Sequence, residues 1–355
     1  MKKILTYIIV CSVTIILVLN PDKSVYYARN SLGLCAEIII PSLFPFFVCS
    51  GLLVYSGFCE LLAKLFSPVM KPVFNVNSSG ASAFVLGIIS GYPLGAVTTC
   101  QLYRGMYVSK TEAERLLAFC NNSGPLFIMG AVGVAMYHST RAGIILYIAH
   151  ILGALTVGLL ARFYKTKDFC APRSTITMQN TSPIFSSAVT SSVQSILTVC
   201  ATVVFCSVIS SLMLDVISVN SYLKAIINGV CEFVSGLNNV SALDTDLVSK
   251  LLISSWICAF AGISVHLQVM SVVGDSGLSL KPYIFGKLLH GFFSVFYTYI
   301  ILRLMPISQT VFSVINQERR ISAGFYISSG FCVTCVAILT ILSVAGLIFK
   351  LKKSV

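Results

Sequence analysis

Charge is what this 355-residue chain has least of: Asp, Glu, Lys and Arg together make up 10% of it, against about a quarter in soluble globular domains. A water-facing surface cannot be built from that supply. With 56% hydrophobic residues and a mean hydropathy of +0.91, the chain reads as a polytopic membrane protein. Acidic residues are the scarcest, 12 against 24 Lys and Arg, which leaves a net charge of +12. Between apolar runs such an excess orients spans and meets anionic lipid. No basic and aromatic surface module accompanies it, so nucleic-acid binding is excluded. Metal chemistry is equally unsupported, because the four histidines, His138, His150, His266 and His290, have no HExxH or comparable ligand spacing. Nearly all of the 13 cysteines lie in apolar runs, where they act as small hydrophobes. The one CxxC, Cys332 and Cys335, stands in an expected membrane helix without a second pair. No nucleophile and base form a recognisable motif, so the reading is not an enzyme and has no cofactor.

The apolar runs set the order of the chain. Residues 4–19 follow Lys2 and Lys3 and end at Asn20-Pro21-Asp22-Lys23 without a small-residue cleavage site, which predicts a retained first helix with a cytoplasmic N-terminus. A mixed, interfacial stretch leads to a second span from Pro41, kinked or re-entrant because of Pro41 and Pro45. Lys64 and Lys71 read as interfacial anchors. Ser109-Lys110-Thr111-Glu112 can cap the helix that follows it. The run 143–163 is uninterrupted, and the polar stretch 165–183 is the expected cytoplasmic linker between two halves. The division expected is an N-terminal helix over 1–22, a first repeat over 23–164, the linker, a second repeat over 184–305, and a loop with a C-terminal helix over 306–355.

Within this frame the stretch Phe119-Cys120-Asn121-Asn122-Ser123-Gly124-Pro125-Leu126-Phe127 is the anomaly. Pro125 has no N–H and disfavours the helical region for the residue before it, while Gly124 tolerates almost any backbone angle, so the helix breaks there. Broken backbone at membrane depth must be buried in protein or line a water-filled cavity. Ser90-Gly91-Tyr92-Pro93 is a second breaker. Both recur about 140 residues later, as Ser235-Gly236-Leu237-Asn238-Asn239 and Phe260-Ala261-Gly262-Ile263-Ser264-Val265-His266. Two interrupted segments at matching places in two halves point to a solute site built from repeats. The fold expected is all-α, with two related halves, each holding a broken hairpin and a broken helix that meet at the midplane. The substrate-binding set is Gly91, Tyr92, Pro93, Asn121, Asn122, Ser123, Gly124, Glu232, Gly236, Asn238, Gly262 and Ser264. The Asn and Ser side chains offer donors for a carboxylate or ring nitrogen; their alternative role is to bond across helix interfaces. Glu232, an ionisable group in an apolar run, is placed to carry a coupling proton or to hold a cation such as Na+. His266 and Gln268, just after the second break, are weaker candidates. The partners expected are a small-molecule solute, the lipid bilayer, the coupling ion and a second copy of the chain in a homo-oligomer.

At Ser90-Gly91-Tyr92-Pro93-Leu94-Gly95-Ala96, at Phe119 through Gly133 and at Ala261-Gly262-Ile263-Ser264-Val265-His266-Leu267-Gln268, the sequence resembles the sporulation integral membrane protein YlbJ family. That family carries the Gate, or nucleoside-recognition, domain, with a fold distantly similar to concentrative nucleoside transporters. The resemblance runs from about residue 31 to 305. It implies a multi-pass protein of the outer forespore membrane that moves dipicolinic acid from the mother cell; a scaffold of a spore-envelope complex and a nucleoside-type transporter are the alternatives. Ala261 stands where the family often has a second Gly, and Asn122 where it often has Thr or Ser. No Lys or Arg lies within either break. Half-helix N-termini are therefore expected to stabilise the dianion, with Arg104 and Arg115 attracting it at the mouth.

Overall fold

The computed structural model of the protein describes residues 2–56, 58–165, 183–216 and 219–305, and among them every regular element is helical. Almost all of the linker expected over 165–183, and the whole of the C-terminal helix expected over 323–349, lie outside the described residues. The chain opens with α1 (Lys2–Leu19) and α2 (Pro21–Leu34), which passes through a π-helical turn at Cys35–Ile39 into α3 (Ile40–Tyr55). Next, α4 (Phe58–Val69) runs into a second π turn at Met70–Phe74, and the chain bends by 113° to reach α5 (Ala81–Ile89). Then come α6 (Leu94–Arg104) and α7 (Lys110–Phe119). The start of α7 carries the expected capping box: Ser109 Oγ accepts the Glu112 N–H, and the Glu112 carboxylate accepts the Ser109 N–H. Past the break the chain resumes as a π-helical stretch, Leu126–Met136, followed by α8 (Thr140–Ala161).

The second part repeats this order. After α9 (Ile184–Val216) come the short pair α10 (Ser221–Cys231) and α11 (Phe233–Ser241), then α12 (Leu247–Phe260) and α13 (Gly262–Val273), and last α14 (Lys281–Leu304). A hairpin, a broken helix and a long helix therefore occur twice. The two long helices pack directly on each other, and His150 of α8 meets His290 of α14, 140 positions further along, with ring centroids 4.4 Å apart. Among the described residues α8, α9, α14 and the α12–α13 run are long and apolar enough to cross a membrane, and up to six spans result if each bent pair counts as one.

Polarity is distributed inside out. Along α14, Phe285, Leu288, Phe292 and Phe296 are exposed, whereas Lys287, His290, Ser294 and Thr298 are buried. In water that would expose a large apolar face; in lipid the same face is the solvated one, and the polar groups must find one another inside. Glycine permits the close approaches this needs. A Cβ on Gly87 of α5, or on Gly95 of α6, would overlap the Cys120 carbonyl, so the broken backbone after α7 is inserted between the two arms of the hairpin. Gly91, at the hairpin tip with φ +78°, lies against Gly124, where a Cβ would fall 2.8 Å from the Gly124 nitrogen.

At one end of the bundle the neighbouring residues Glu114 and Arg115 tie several elements together. The fully buried Glu114 carboxylate accepts from the Ser279 N–H at 3.1 Å, the Tyr164 hydroxyl at 3.0 Å and the Lys165 ammonium at 3.3 Å. The Arg115 guanidinium donates to the carbonyls of Asn75, Tyr164 and Lys165. These bonds satisfy carbonyls just beyond α8 that lipid could not.

The glycine contacts make a direct prediction for stability. Gly95→Ala forces a methyl into the Cys120 carbonyl and should lower stability by about 1–3 kcal/mol, the usual range for overpacking. Gly33→Ala, at a helical position with no neighbour within 4 Å, should raise it by roughly 0.5–1 kcal/mol. Thermal melting of the purified protein in detergent compares them. Equal melting temperatures for the two variants would remove the close-approach argument.

Candidate functional site

The two sets of breaks converge. In the first half, the α5–α6 turn at 90–93 and the segment 120–124 touch through Gly91 and Gly124. In the second, α12 ends at Ala261, which adopts a left-handed φ of 75°, and Gly262 follows at +68°. That left-handed pair turns the chain into α13 without proline. A Cβ on Gly262 would lie 3.1 Å from the Phe233 nitrogen, so this break sits against the α10–α11 joint, as 120–124 sits against α5–α6.

The joint itself is not where the sequence reading placed it. Ser235, Gly236, Asn238 and Asn239 lie within α11, and the chain turns instead at Glu232. Glu232 is extended (φ −139°, ψ 112°), and its buried carboxylate accepts the Val234 N–H at 3.1 Å and the Ser235 N–H at 2.6 Å. An extended residue that caps the next helix with its own side chain makes a turn without Gly or Pro, which is why breaker residues did not mark it. Gly236 serves packing, since a Cβ there would overlap Gly229 across the α10–α11 pair. Asn238 is exposed on the outer side of α11. Neither lines the cavity between the breaks.

Between the breaks lies a cavity of about 40 Å³ lined by Ser90, Gly91, Tyr92, Ser123, Gly124, Phe127, Phe233, Ser264, Val265 and Gln268. Leu43 and Phe47 of α3 and Val199 and Val203 of α9 close it. At roughly 10–15 Å³ per water, it has room for about three waters. In this form the space is too small for an organic solute. Five of the expected residues line it directly: Gly91, Tyr92, Ser123, Gly124 and Ser264. Asn122 turns back, its amide donating to the Phe119 carbonyl at the end of α7 at 2.8 Å while its carbonyl oxygen is buried without a hydrogen bond. Asn121 faces the Tyr283 hydroxyl without a hydrogen bond of normal length. The Ser90 hydroxyl, in the cavity wall, is buried and unpartnered. Leaving such groups unpaired costs about 1–3 kcal/mol each, so the site has binding capacity in reserve. Its other wall is aromatic: Phe127 and Phe233 pack at 5.0 Å, and Tyr92 meets Phe233 edge-on at 6.2 Å.

One lysine at the breaks was not foreseen. Lys287 of α14 is buried, and its ammonium donates to the Tyr92 hydroxyl at 2.8 Å and to the Ala259 carbonyl at 3.2 Å, lying 4.7 Å from the Tyr92 ring centre. Burying an ammonium costs several kcal/mol before compensation. Two oxygens and a ring face offset part of that. The expectation of sites free of Lys and Arg thus holds along the chain and fails in space, because a neighbouring helix supplies a lysine. A Lys at helical spacing with His290 and Ser294 was the available signal.

A family model described as Gate, nucleoside recognition, matches residues 36–205. The sporulation integral membrane protein YlbJ of Bacillus subtilis (strain 168) is 33% identical over 314 residues, covering 78% of this chain and 76% of the relative. The chain belongs to the YlbJ family. Among solved structures, a variant of the concentrative nucleoside transporter CNTnw in an intermediate state aligns with a TM-score of 0.54 at 15% identity over 86% of each chain. Another variant, in an outward-facing state, aligns at 0.55 and 14% over 86% of this chain and 85% of that one. At such identities the likeness is one of fold.

In this YlbJ-family protein the two flanking arginines separate. Arg104 is exposed at the end of α6, but Arg115 is buried and holds backbone carbonyls. It is not a surface charge that attracts anions at a mouth.

Lys287 can be tested for a purely structural role. Lys287→Ala leaves a void and unpaired oxygens and should cost about 2–5 kcal/mol, as large-to-small core changes do. Lys287→Met leaves the same two oxygens without this donor but fills the volume, so it should be clearly less costly than the Ala variant. Melting curves in detergent separate the two; a Met variant as unstable as the Ala variant would mean that the charge itself holds the fold.

Proposed function

We propose that this protein is a membrane transporter for a small anionic solute, and that the solute is dipicolinate, moved from the mother cell across the outer forespore membrane during sporulation. The observation that carries the reading is the small cavity where breaks of both halves meet. Its wall suits a planar aromatic dicarboxylate: Tyr92, Phe127 and Phe233 offer ring faces and edges, while Ser90, Ser123 and Ser264 offer hydroxyls. Three helices begin beside it without a side-chain cap, namely α6, the Leu126–Met136 stretch and α13. Each such terminus carries roughly half a positive elementary charge. By contrast α11 is already capped by the Glu232 carboxylate. Lys287 stands behind Tyr92, its amino group donating to the Tyr92 hydroxyl at 2.8 Å. The sporulation role rests on the relative's name, and the fold likeness supports transport.

The test is uptake by the full-length protein in sealed vesicles, with radiolabelled dipicolinate in one arm and uridine in the other. Dipicolinate uptake above empty vesicles, with uridine at background, is expected. Ser264→Leu, which fills the cavity, should reduce uptake about tenfold or more, the effect of roughly 1.4 kcal/mol, while the variant elutes and melts as a folded protein. Normal uptake by Ser264→Leu would move the site elsewhere. Uridine uptake without dipicolinate uptake would favour a nucleoside-type solute, and uptake of neither would favour the scaffold role.

A further inference from the structure

His150 lies mid-way along α8, fully inside the protein. Its Nε2 accepts a hydrogen bond of 3.1 Å from the backbone N–H of Ser123. That N–H belongs to the broken segment, where the helix no longer supplies an acceptor, and Ser123 lines the cavity. An acceptor at Nε2 puts the ring proton on Nδ1, which is buried without a partner. Beside it, His290 Nε2 donates to the His150 carbonyl at 2.8 Å, and the two rings are in contact. The titratable groups that bear on the imidazole are His290 and Lys287, both from α14. The segment after α7 presents the Ser123 N–H, and among the described residues α12 and the Leu126–Met136 stretch bring no titratable group to bear on the ring. Among the described residues, nitrogen bases therefore gather here with no carboxylate among them.

We propose that His150 is the proton-binding site that couples solute entry to a proton gradient, by sharing the Ser123 N–H with the solute. This rests on the transport reading above. One N–H serves one acceptor well. With the cavity closed, it goes to His150 Nε2. A carboxylate in the opened cavity is a stronger acceptor than imidazole, and once it takes the Ser123 N–H the Nε2 lone pair is left bare. A proton from the aqueous side then binds there, giving an imidazolium with N–H on both nitrogens. One proton enters with one dianion, and release of the solute returns the N–H to Nε2 and expels the proton. Glu232 is not available for this task, because its two oxygens cap α11. The placement of His150 and His290 at equivalent positions of the two long helices sets the second imidazole against the first, with its Nε2 donating to the His150 carbonyl rather than meeting the Ser123 N–H.

The experiment uses the full-length protein with dipicolinate. Proton uptake on binding is measured by calorimetry in buffers of different ionisation enthalpy, and a trapped pH dye reports proton movement during uptake. Wild-type protein should take up about one proton per dipicolinate bound, and an inward proton gradient should drive accumulation. In His150→Gln the amide oxygen still accepts the Ser123 N–H but binds no proton. That variant should exchange dipicolinate by counterflow, slowed but measurable, while proton uptake and gradient-driven accumulation are lost. His290→Gln should retain proton uptake. Proton uptake that persists in His150→Gln, or wild-type binding without any, overturns the inference and leaves the transport reading intact. Loss of counterflow in His150→Gln assigns the ring to packing and overturns it as well. Wild-type vesicles that take up no dipicolinate overturn the transport reading, and the coupling with it.

Discussion

Backbone that leaves the helical path inside a bilayer has to give its N–H and C=O groups to something other than lipid. Here that constraint is met at segment 120–124, and the rest of the fold is arranged around it. Gly87 and Gly95 open the two arms of the first hairpin just enough for the Cys120 carbonyl to enter, and Gly91 lets the hairpin tip reach Gly124. The Asn122 amide closes the end of α7, and His150 takes the Ser123 N–H. A helix broken in this way is stable only while the hairpin stays docked. Separating the hairpin from the segment would open the cavity and expose the same polar groups, which ties access to the site to the packing that creates it.

The second half solves the same problem with different residues. Glu232 stands 140 positions after Tyr92, the offset that also relates His290 to His150. The first hairpin turns on Gly and Pro; the second turns on a carboxylate that caps its own next helix. The broken helix of the first half uses Gly124 and Pro125, whereas the second uses two left-handed residues, Ala261 and Gly262. This difference makes the cavity asymmetric. The α6 and α13 termini are uncapped by side chains, Lys287 donates to the Tyr92 hydroxyl, and the Glu232 carboxylate is turned to the α11 N–H groups.

Much of this was legible in the chain itself. Low charge and long apolar runs specify an all-helical membrane protein, and Gly-Pro next to Asn-Asn-Ser marks a helix that cannot continue. The capping box at Ser109 was readable because its two partners are three residues apart. The Glu232 joint was not, since a cap made by an extended acidic residue has the same composition as a helix interior, and Ser235-Gly236 drew attention to a packing contact instead. Lys287 and His150 were missed for a related reason. Each sits in an uninterrupted span, where sequence gives no sign of which face meets the breaks. The spacing Gly87-x3-Gly91-x3-Gly95 was a usable signal of close backbone approach. Arg115 was misjudged because a basic residue near a helix start reads as exposed unless its carbonyl partners, far away in sequence, are known.

The central claim is that the paired breaks form one solute site behind which Lys287 stands. The most direct measurement is a structure of the full-length protein in lipid nanodiscs, determined with and without saturating dipicolinate. The account predicts solute density between Tyr92, Ser123 and Ser264, with the cavity enlarged and the hairpin tip moved away from Gly124. Density at another place, or an unchanged cavity with the solute bound elsewhere, would contradict it.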